Sequence, residues 1–348
     1  MNSSSGAASS VDLLCDEILG RPEDEGVTLA LAVAVNGEMV SRRYGRQPDT
    51  PFGPGGPVDH STTFISWSMA KSIVHALVGI AIDDGLLELD TPMVSERWRD
   101  DGRSSITLDH LLQMRSGLAF VEEYVDGETS DTIEMLFSGS EHRGVDDMGD
   151  FAAAKPALAD PGDVFSYSSG TTNIICRLLG DRLAGGGVDE VGAERRRAAV
   201  EEFARTRLFN PIGMHSATMR FDASGTFIGS SFVYATLDDF VRFGELYRLD
   251  GVTADGRRVL PEGWRNLARE RISHDPDGAG PHGFDYGRHW WIWPDLEGSM
   301  AAHGYQGQFT LVLPEAGVTL VHLGLTDVAV APVLVERLGS LARVATGL

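Results

Sequence analysis

Ser68 and Lys71, three residues apart in Ser66-Trp67-Ser68-Met69-Ala70-Lys71-Ser72, are the residues in this chain best placed to do covalent chemistry. On a helix that spacing puts both side chains on one face, so a hydroxyl meets an amine. A serine hydroxyl is a weak nucleophile unless a neighbouring base takes its proton, and lysine can be that base only when burial or nearby cations lower its pKa. The chain has two lysines, Lys71 and Lys155, against 27 arginines. Arginine carries surface charge but does not deprotonate, so a site that needs a neutral amine must use lysine even here. Lys155, followed by Pro156 and with Ala152 three positions back, is expected in a solvated loop. Ser-x-x-Lys by itself is a short pattern, and its weight depends on what surrounds it.

The elements around it are consistent with a site. Ile73, Val74, Ala76, Leu77, Val78, Ile80, Ala81 and Ile82 cover most of a helical circumference, which predicts a helix buried at the centre of a domain and ended by Asp83-Asp84-Gly85. Its N-terminus would present backbone N–H groups to an oxyanion formed on a carbonyl attacked by Ser68. Downstream, Pro161-Gly162 leads through Phe165 and Ser166 to Tyr167-Ser168-Ser169 at a second helix start. Ser168 and Ser169 read equally well as helix caps and as site residues, whereas a phenol at Tyr167 beside a lysine could relay a proton to a leaving group. In His303-Gly304-Tyr305-Gln306-Gly307-Gln308 two glycines precede a strong strand. They mark either a bulge in an edge strand or the inner wall of a site where a ligand approaches.

Composition narrows the function classes. With 348 residues, 42% of them hydrophobic, the chain can bury one large core or two intimately joined ones. A net charge of −22 argues against nucleic acid and anionic membrane as partners. No run of 18 apolar residues exists to span a bilayer, and Met1 to Gly6 resembles no secretion signal, so a cytoplasmic location is expected. Cys15 and Cys176 suggest neither a disulfide framework nor a metal site and are expected to be reduced. His75 lies in the apolar helix and reads as a core residue, while His60, His142 and His282 fall in polar loops. None has metal-ligand spacing, so no metal or cofactor is expected.

Along the chain, a Ser-rich start is expected to be disordered and Val11 to Leu19 to form a short helix. Val27 to Val35 and Glu38 to Ser41 flank Asn36-Gly37, a tight-turn signal for a hairpin. From Leu86 to Leu208 helical patterns dominate, notably Ile106 to Met114, Ser169 to Leu183 and a charged amphipathic helix from Asp189 to Leu208. Glu122 to Asp150 reads as a long acidic loop or lid with partial helix. Strand patterns return at Phe227 to Thr236, Asp285 to Trp293, Gln308 to Leu313 and Val318 to Leu323, the last two joined at Pro314-Glu315-Ala316-Gly317, before a closing helix over Ala331 to Ala345. One sheet built from residues 1–85 and 209–348, with 86–208 as a helical insertion, is the expected organisation.

In this order, Ser68-Met69-Ala70-Lys71, Tyr167-Ser168-Ser169 and His303-Gly304-Tyr305-Gln306-Gly307-Gln308 resemble the three motifs of the serine β-lactamase and penicillin-binding-protein superfamily, on its class C and esterase side. Leu111-Leu112-Gln113-Met114-Arg115-Ser116-Gly117-Leu118, Pro211-Ile212-Gly213-Met214 and Ala235-Thr236-Leu237-Asp238-Asp239-Phe240 are similar to its supporting stretches. The resemblance implies an α+β, β-lactamase/transpeptidase-like fold: an antiparallel sheet flanked by helices, with an inserted helical lobe. It makes Ser68 the acylated nucleophile, Lys71 its base and Tyr167 the proton relay, with the N–H groups of Ser68 and Tyr305 as the oxyanion hole. His303, Gly304 and Ser169 would line the substrate.

Two departures bear on substrate. His303-Gly304-Tyr305 stands where penicillin-recognising members carry Lys-Thr-Gly, and Tyr-Ser-Ser replaces Tyr-x-Asn. The motifs are most similar to the 6-aminohexanoate-dimer hydrolase branch and its esterase relatives, in which Tyr124 would match a tyrosine touching the scissile amide. A serine hydrolase of small amides or esters is therefore expected, acting on a small molecule without cofactor, with homodimer formation left open. A β-lactamase or D-amino-acid peptidase, and a non-catalytic binding protein, are the alternatives.

Overall fold

The computed structural model describes residues 3–50, 53–92, 95–122, 130–139 and 143–347. Eight antiparallel strands form the main sheet: β1 (Val27–Val35), β2 (Glu38–Tyr44), β3 (Ser273–Asp275), β4 (Phe284–Tyr286), β5 (Trp291–Ile292), β6 (Met300–Gly304), β7 (Gln308–Leu313) and β8 (Val318–Leu325). Their order across the sheet is β2-β1-β8-β7-β6-β5-β4-β3. The amino-terminal hairpin thus adds to the carboxy-terminal meander through β1 and β8, which pair from Val27 opposite Leu325 to Val35 opposite Val318.

Side-chain alternation on β1 explains how both faces of the sheet are covered. Ala30, Ala32 and Ala34 point into the larger core with helix α2 (Met69–Asp83), and Leu31, Val33 and Val35 into a smaller one. The smaller core holds Val11, Cys15 and Ile18 of α1 (Ser3–Leu19) with Leu334, Leu338 and Leu341 of the closing helix Ala331–Ala345. A short second sheet joins Thr63–Ile65 to Val233–Thr236 and Thr218–Met219, and it delivers the chain to the start of α2.

Every residue of α2 from Met69 to Ala81 is buried, as its all-round apolar pattern predicts. The hairpins at Asn36-Gly37 and Pro314 to Gly317, the closing helix and the free, buried Cys15 and Cys176 also match expectation. Elsewhere the structure corrects the reading. The Ser-rich start is helical from Ser3, because α1 extends from a half anchored by Val11, Cys15 and Ile18 and each further residue adds a hydrogen bond. The stretch from Asp189 to Leu208 is not one helix: Gly192, at φ 81°, separates Val188–Val191 from Ala193–Phe203, and a π-helical turn follows over Ala204–Phe209. Only Val233–Thr236 of the expected strand at 227–236 is extended. In the 285–293 run a turn at Gly287 to Trp290, with His289 at φ 56°, separates β4 from β5. Between Ile106 and Met114 only Leu108–Leu112 is helical, and Met114 ends it at φ 57°. Lys155 lies in a loop as expected but is half-buried, pairing with Asp131 at 2.6 Å and lying over the Phe151 ring.

One glycine fixes how closely α2 is packed. A Cβ at Gly79 would overlap the Trp264 indole, which lies across the helix, stacks on His75 at 4.6 Å and donates to the His75 carbonyl at 3.0 Å. Helix propensity alone would make Gly79→Ala favourable by about 1 kcal/mol. Overpacking costs about 1–3 kcal/mol, and the displaced indole loses a hydrogen bond worth about 1 kcal/mol. Packing therefore wins, and Gly79→Ala is expected to lower unfolding free energy by about 2 kcal/mol in urea titration; an unchanged or raised midpoint would contradict this account.

Candidate active site

The turn that enters α2 holds Trp67 in the left-handed region, at φ 44°, a conformation uncommon outside glycine. Ser66, fully buried, pins it. The Ser66 N–H donates to the Val233 carbonyl at 2.8 Å, and Ser66 Oγ accepts from the Val233 N–H at 3.1 Å. This is why the short sheet matters: its strand at 233–236 sets the backbone from which Ser68, the N-cap of α2, projects.

Lys71 is 2% exposed, and its Nζ has three oxygen neighbours: Ser68 Oγ at 2.8 Å, Ser230 O at 3.0 Å and Ser169 Oγ at 3.1 Å. The last two can only accept. Ser230 O is a carbonyl, and the Ser169 hydroxyl commits its proton to Glu122 Oε1 at 2.6 Å, because a carboxylate has none to give. When Lys71 is neutral, its two N–H bonds are therefore occupied by Ser169 and Ser230, and the lone pair is left facing the Ser68 hydroxyl. Loss of hydration pulls the amine down to about 8, against the opposing charge of Glu122, so this neutral form is accessible near physiological pH. Glu122 is itself held by the Ser169 N–H at 2.7 Å and the Thr132 hydroxyl at 2.7 Å.

Tyr167 arrives from the loop before a helix at Ser169–Ala184. Ser168 caps that helix, accepting from the Thr171 N–H at 3.0 Å, which separates the two serines by role: Ser168 caps and Ser169 holds Lys71. The Lys71 ammonium lies 4.8 Å from the centre of the Tyr167 ring, and Ser68 is near enough to the phenol to oppose part of the rise that burial imposes on it. Tyr286 and Trp291 pack against the ring at 6.0 and 5.2 Å. Burial pushes the phenol up, so Tyr167 keeps its proton while Lys71 can lose its own.

At the third motif, a Cβ on Gly304 would overlap the Ser66 carbonyl, so only glycine lets β6 approach the turn before Ser68 this closely. Gln308, 3% exposed, bonds to the carbonyls of Tyr305 and Gly324 at 3.1 and 2.7 Å and accepts from the Gly324 N–H, locking the turn at 304–307. The Tyr305 ring meets Trp67 edge-on at 5.7 Å. The His303 imidazole turns away from this group. Its Nε2 accepts from the Trp293 indole N–H at 2.8 Å, Trp291 stacks on it at 5.3 Å, and desolvation pulls it down to about 3, so it contributes no cation at neutral pH.

Ser68, Lys71, Tyr167 and Ser169 are thus brought together, Gly304 and Tyr305 lie beside them, and Tyr124 lies outside the described residues, as does His142. Sequence reasoning passed over Glu122, whose only signal was its place at the start of an acidic stretch. It also passed over Ser230, which acts through a carbonyl that no side-chain pattern advertises. Beneath the site, His289 donates from Nδ1 to the Leu112 carbonyl at 2.9 Å and accepts from Thr172 at Nε2. His75 is a core residue, bonded to Tyr247 at 2.7 Å. Among the described residues no group of three or more His, Cys, Asp or Glu could hold a metal, and no helix is long and apolar enough to cross a membrane.

Comparison with known proteins bears on the family and the fold. The chain is 26% identical to penicillin-binding protein 4 of Amycolatopsis lactamdurans, over 90% of this chain and 86% of that protein. Its fold is similar to that of a provisionally assigned 6-aminohexanoate-dimer hydrolase of Bacillus anthracis, with a TM-score of 0.70 and 21% identity over 92% of this chain and 80% of the other. It is also similar to a D-amino acid amidase of Ochrobactrum anthropi, with a TM-score of 0.67 and 15% identity over 97% and 98% of the two chains. The beta-lactamase family profile matches residues 21–327, a span that takes in the main sheet, the turn at Ser66 to Ser68 and the buried lysine, and the chain belongs to that family of hydrolases.

Proposed function

We propose that this chain hydrolyses small esters or linear amides through an acyl-enzyme on Ser68. The observation that carries the reading is the fixed orientation of the Lys71 amine, with two N–H bonds held by Ser169 and Ser230 and the lone pair directed at Ser68 Oγ. Neutral Lys71 takes the Ser68 proton as Oγ bonds to the substrate carbonyl carbon, and the N–H groups of Ser68 and Tyr305 receive the oxyanion. Collapse of that intermediate breaks the bond to the leaving oxygen or nitrogen, which takes a proton from Tyr167; the phenol is refilled from the Lys71 ammonium. Water then attacks the acyl carbon, its proton passing by the same route in reverse, and the acid is released with Ser68 restored. Glu122 is a positioning residue that acts through Ser169. The site residues come from both expected lobes, Ser68 and Lys71 from 1–85 and Glu122, Tyr167 and Ser169 from 86–208.

A charge-only role for Lys71 predicts that Lys71→Arg is tolerated, and a base role predicts the opposite. Single-turnover acylation is expected to fall at least roughly 100-fold in both Lys71→Arg and Lys71→Ala, with Ser68→Ala inactive. Recovery of Lys71→Arg to within about tenfold of wild type, roughly 1.4 kcal/mol in barrier, would remove the base assignment.

The pH profile tests the amine directly. Protonated Lys71 cannot accept, so kcat/KM is expected to rise with pH through an apparent pKa of about 8 and then level. The Glu122 carboxylate raises that value, so Glu122→Gln should move the rising limb to lower pH while cutting kcat about tenfold through lost orientation. A limb that stays in place would exclude Glu122 from the network.

A β-lactam presents a carboxylate that needs a cation and an acylamino group that needs a side-chain amide. Here the third motif offers a neutral His303 and the second a serine, and a carboxylate entering a partly dry cleft unpaired loses hydration without compensation. p-Nitrophenyl butyrate is therefore expected to acylate Ser68 faster than a chromogenic cephalosporin. A cephalosporin kcat/KM equal to or above the ester's would restore the β-lactamase alternative.

A further inference from the structure

Close to Lys71 lies a histidine that the reaction steps do not use and whose backbone is strained. His289 has φ 56° and is 2% exposed. A non-glycine residue in that region persists only where its surroundings over-determine it. Four hydrogen bonds do so here. The Leu112 carbonyl accepts from both the His289 N–H at 3.0 Å and Nδ1 at 2.9 Å. The His289 carbonyl accepts from the Ser72 hydroxyl at 2.7 Å, and Nε2 accepts from the Thr172 hydroxyl at 3.0 Å. A turn that needed only its positive φ would be served by glycine or asparagine, and neither side chain is long enough for the bond to Thr172.

The partners are neighbours of the site. Ser72 follows Lys71 on α2, and Thr172 lies one helical turn after Ser169, on the same face of its helix. The two helices are therefore joined twice, in the site by Lys71 Nζ and Ser169 Oγ at 3.1 Å and again through His289. Lys71 changes charge in every turnover, so the first link varies in strength during the reaction, whereas the second is made of neutral groups throughout. Burial pulls the imidazole down to about 3, with the Leu112 carbonyl opposing and the Lys71 charge adding to the fall. Nδ1 is committed to a carbonyl, which can only accept, so the tautomer is fixed and the Nε2 lone pair is left for Thr172.

The same turn backs the phenol. Tyr286 and Trp291, on either side of His289 in the chain, pack on the Tyr167 ring at 6.0 and 5.2 Å. Arg288 ties the turn to Asp109 at 2.5 Å, on the short helix that ends at Leu112.

We propose that His289 is a positioning residue for acylation: by bridging Ser72 and Thr172 it sets the spacing of α2 and the Ser169 helix, which keeps Ser169 Oγ on the Lys71 amine and the amine lone pair aimed at Ser68. The inference rests on the hydrolase reading above and goes beyond it to the residue that holds the base in line.

The test separates the bridge from the turn. His289→Asn suits the positive φ and puts an amide in the place of Nδ1, so it keeps Leu112 and loses Thr172, whereas the longer amide of His289→Gln reaches the place of Nε2. Full-length chains are compared in single-turnover acylation by p-nitrophenyl butyrate, with the half-saturating ester concentration and the urea midpoint measured alongside. Thr172→Val and His289→Asn are expected to slow acylation about tenfold and leave half-saturation within about twofold of wild type, because misorientation is felt in the rate constant and not in binding. Thr172→Ser and His289→Gln, which keep the bridge, are expected to restore the rate to within about threefold of wild type. In the Ser169→Ala chain, Thr172→Val should cost less than about twofold further, since the contact it protects is already gone. A merely structural role predicts otherwise: His289→Asn would keep its rate, and Thr172→Val would lower the urea midpoint with acylation per folded chain unchanged. Either result, or an equal loss from Thr172→Val with and without Ser169, would overturn the proposal. Should one pair of variants not fold, the other pair decides alone. Failure of the hydrolase reading looks different: the wild-type chain itself would release nitrophenol no faster than the Ser68→Ala chain.

Discussion

A lysine amine kept out of water is the constraint around which this molecule is arranged. Hydration is the cheapest stabiliser of an ammonium group, and Lys71 is denied it by α2 and by everything packed on α2. What replaces water comes from three separate stretches of chain: a hydroxyl one helical turn back, a second hydroxyl at the start of the Ser169 helix, and the carbonyl of Ser230. None of these contacts is useful unless the others are in place, because a partly satisfied buried cation costs more than an apolar side chain of the same size. The positions of the second helix, the 228–232 segment and Glu122 follow from that requirement.

The same requirement explains where the backbone departs from regular geometry. Trp67 at positive φ, Gly304 without a side chain and the irregular stretch ahead of Val233 cluster within one layer around Ser68. Each would be a defect in an ordinary sheet or helix. Together they bring a strand end, a helix start and a loop carbonyl closer than regular packing allows. The aromatic neighbours Trp291 and Tyr286 pack on the Tyr167 ring and Tyr305 on Trp67, which encloses the polar centre in apolar surface.

How much of this could be read beforehand depended on whether the signal was local. Ser68 and Lys71 are one helical turn apart, so their meeting was legible from spacing alone, and the closing helix at Ala331–Ala345 and the Asn36-Gly37 turn were legible for the same reason. Where an outcome turned on a distant partner, pattern misled. Residues 227–232 look like a strand, but the carbonyls of Ser230 and Ser231 are used by Lys71 and Ser66 instead of a neighbouring strand. His303 stands in a motif where a cation is customary, yet its charge is decided by burial among rings distant in sequence, Phe284, Trp291 and Trp293 among them. Glu122 was one carboxylate among 51 acidic residues until the Ser169 helix brought a hydroxyl and an N–H to it.

The pairing of β1 with β8 has a consequence for the order in which the molecule can be made. Val27 emerges from the ribosome some 298 positions before its partner Leu325, the difference of their numbers. At about 5–20 residues per second that interval is roughly 15 to 60 s. For most of it the apolar β1 and α2 lack the carboxy-terminal strands they pack on, so their buried faces stay uncovered until β7 and β8 have been made.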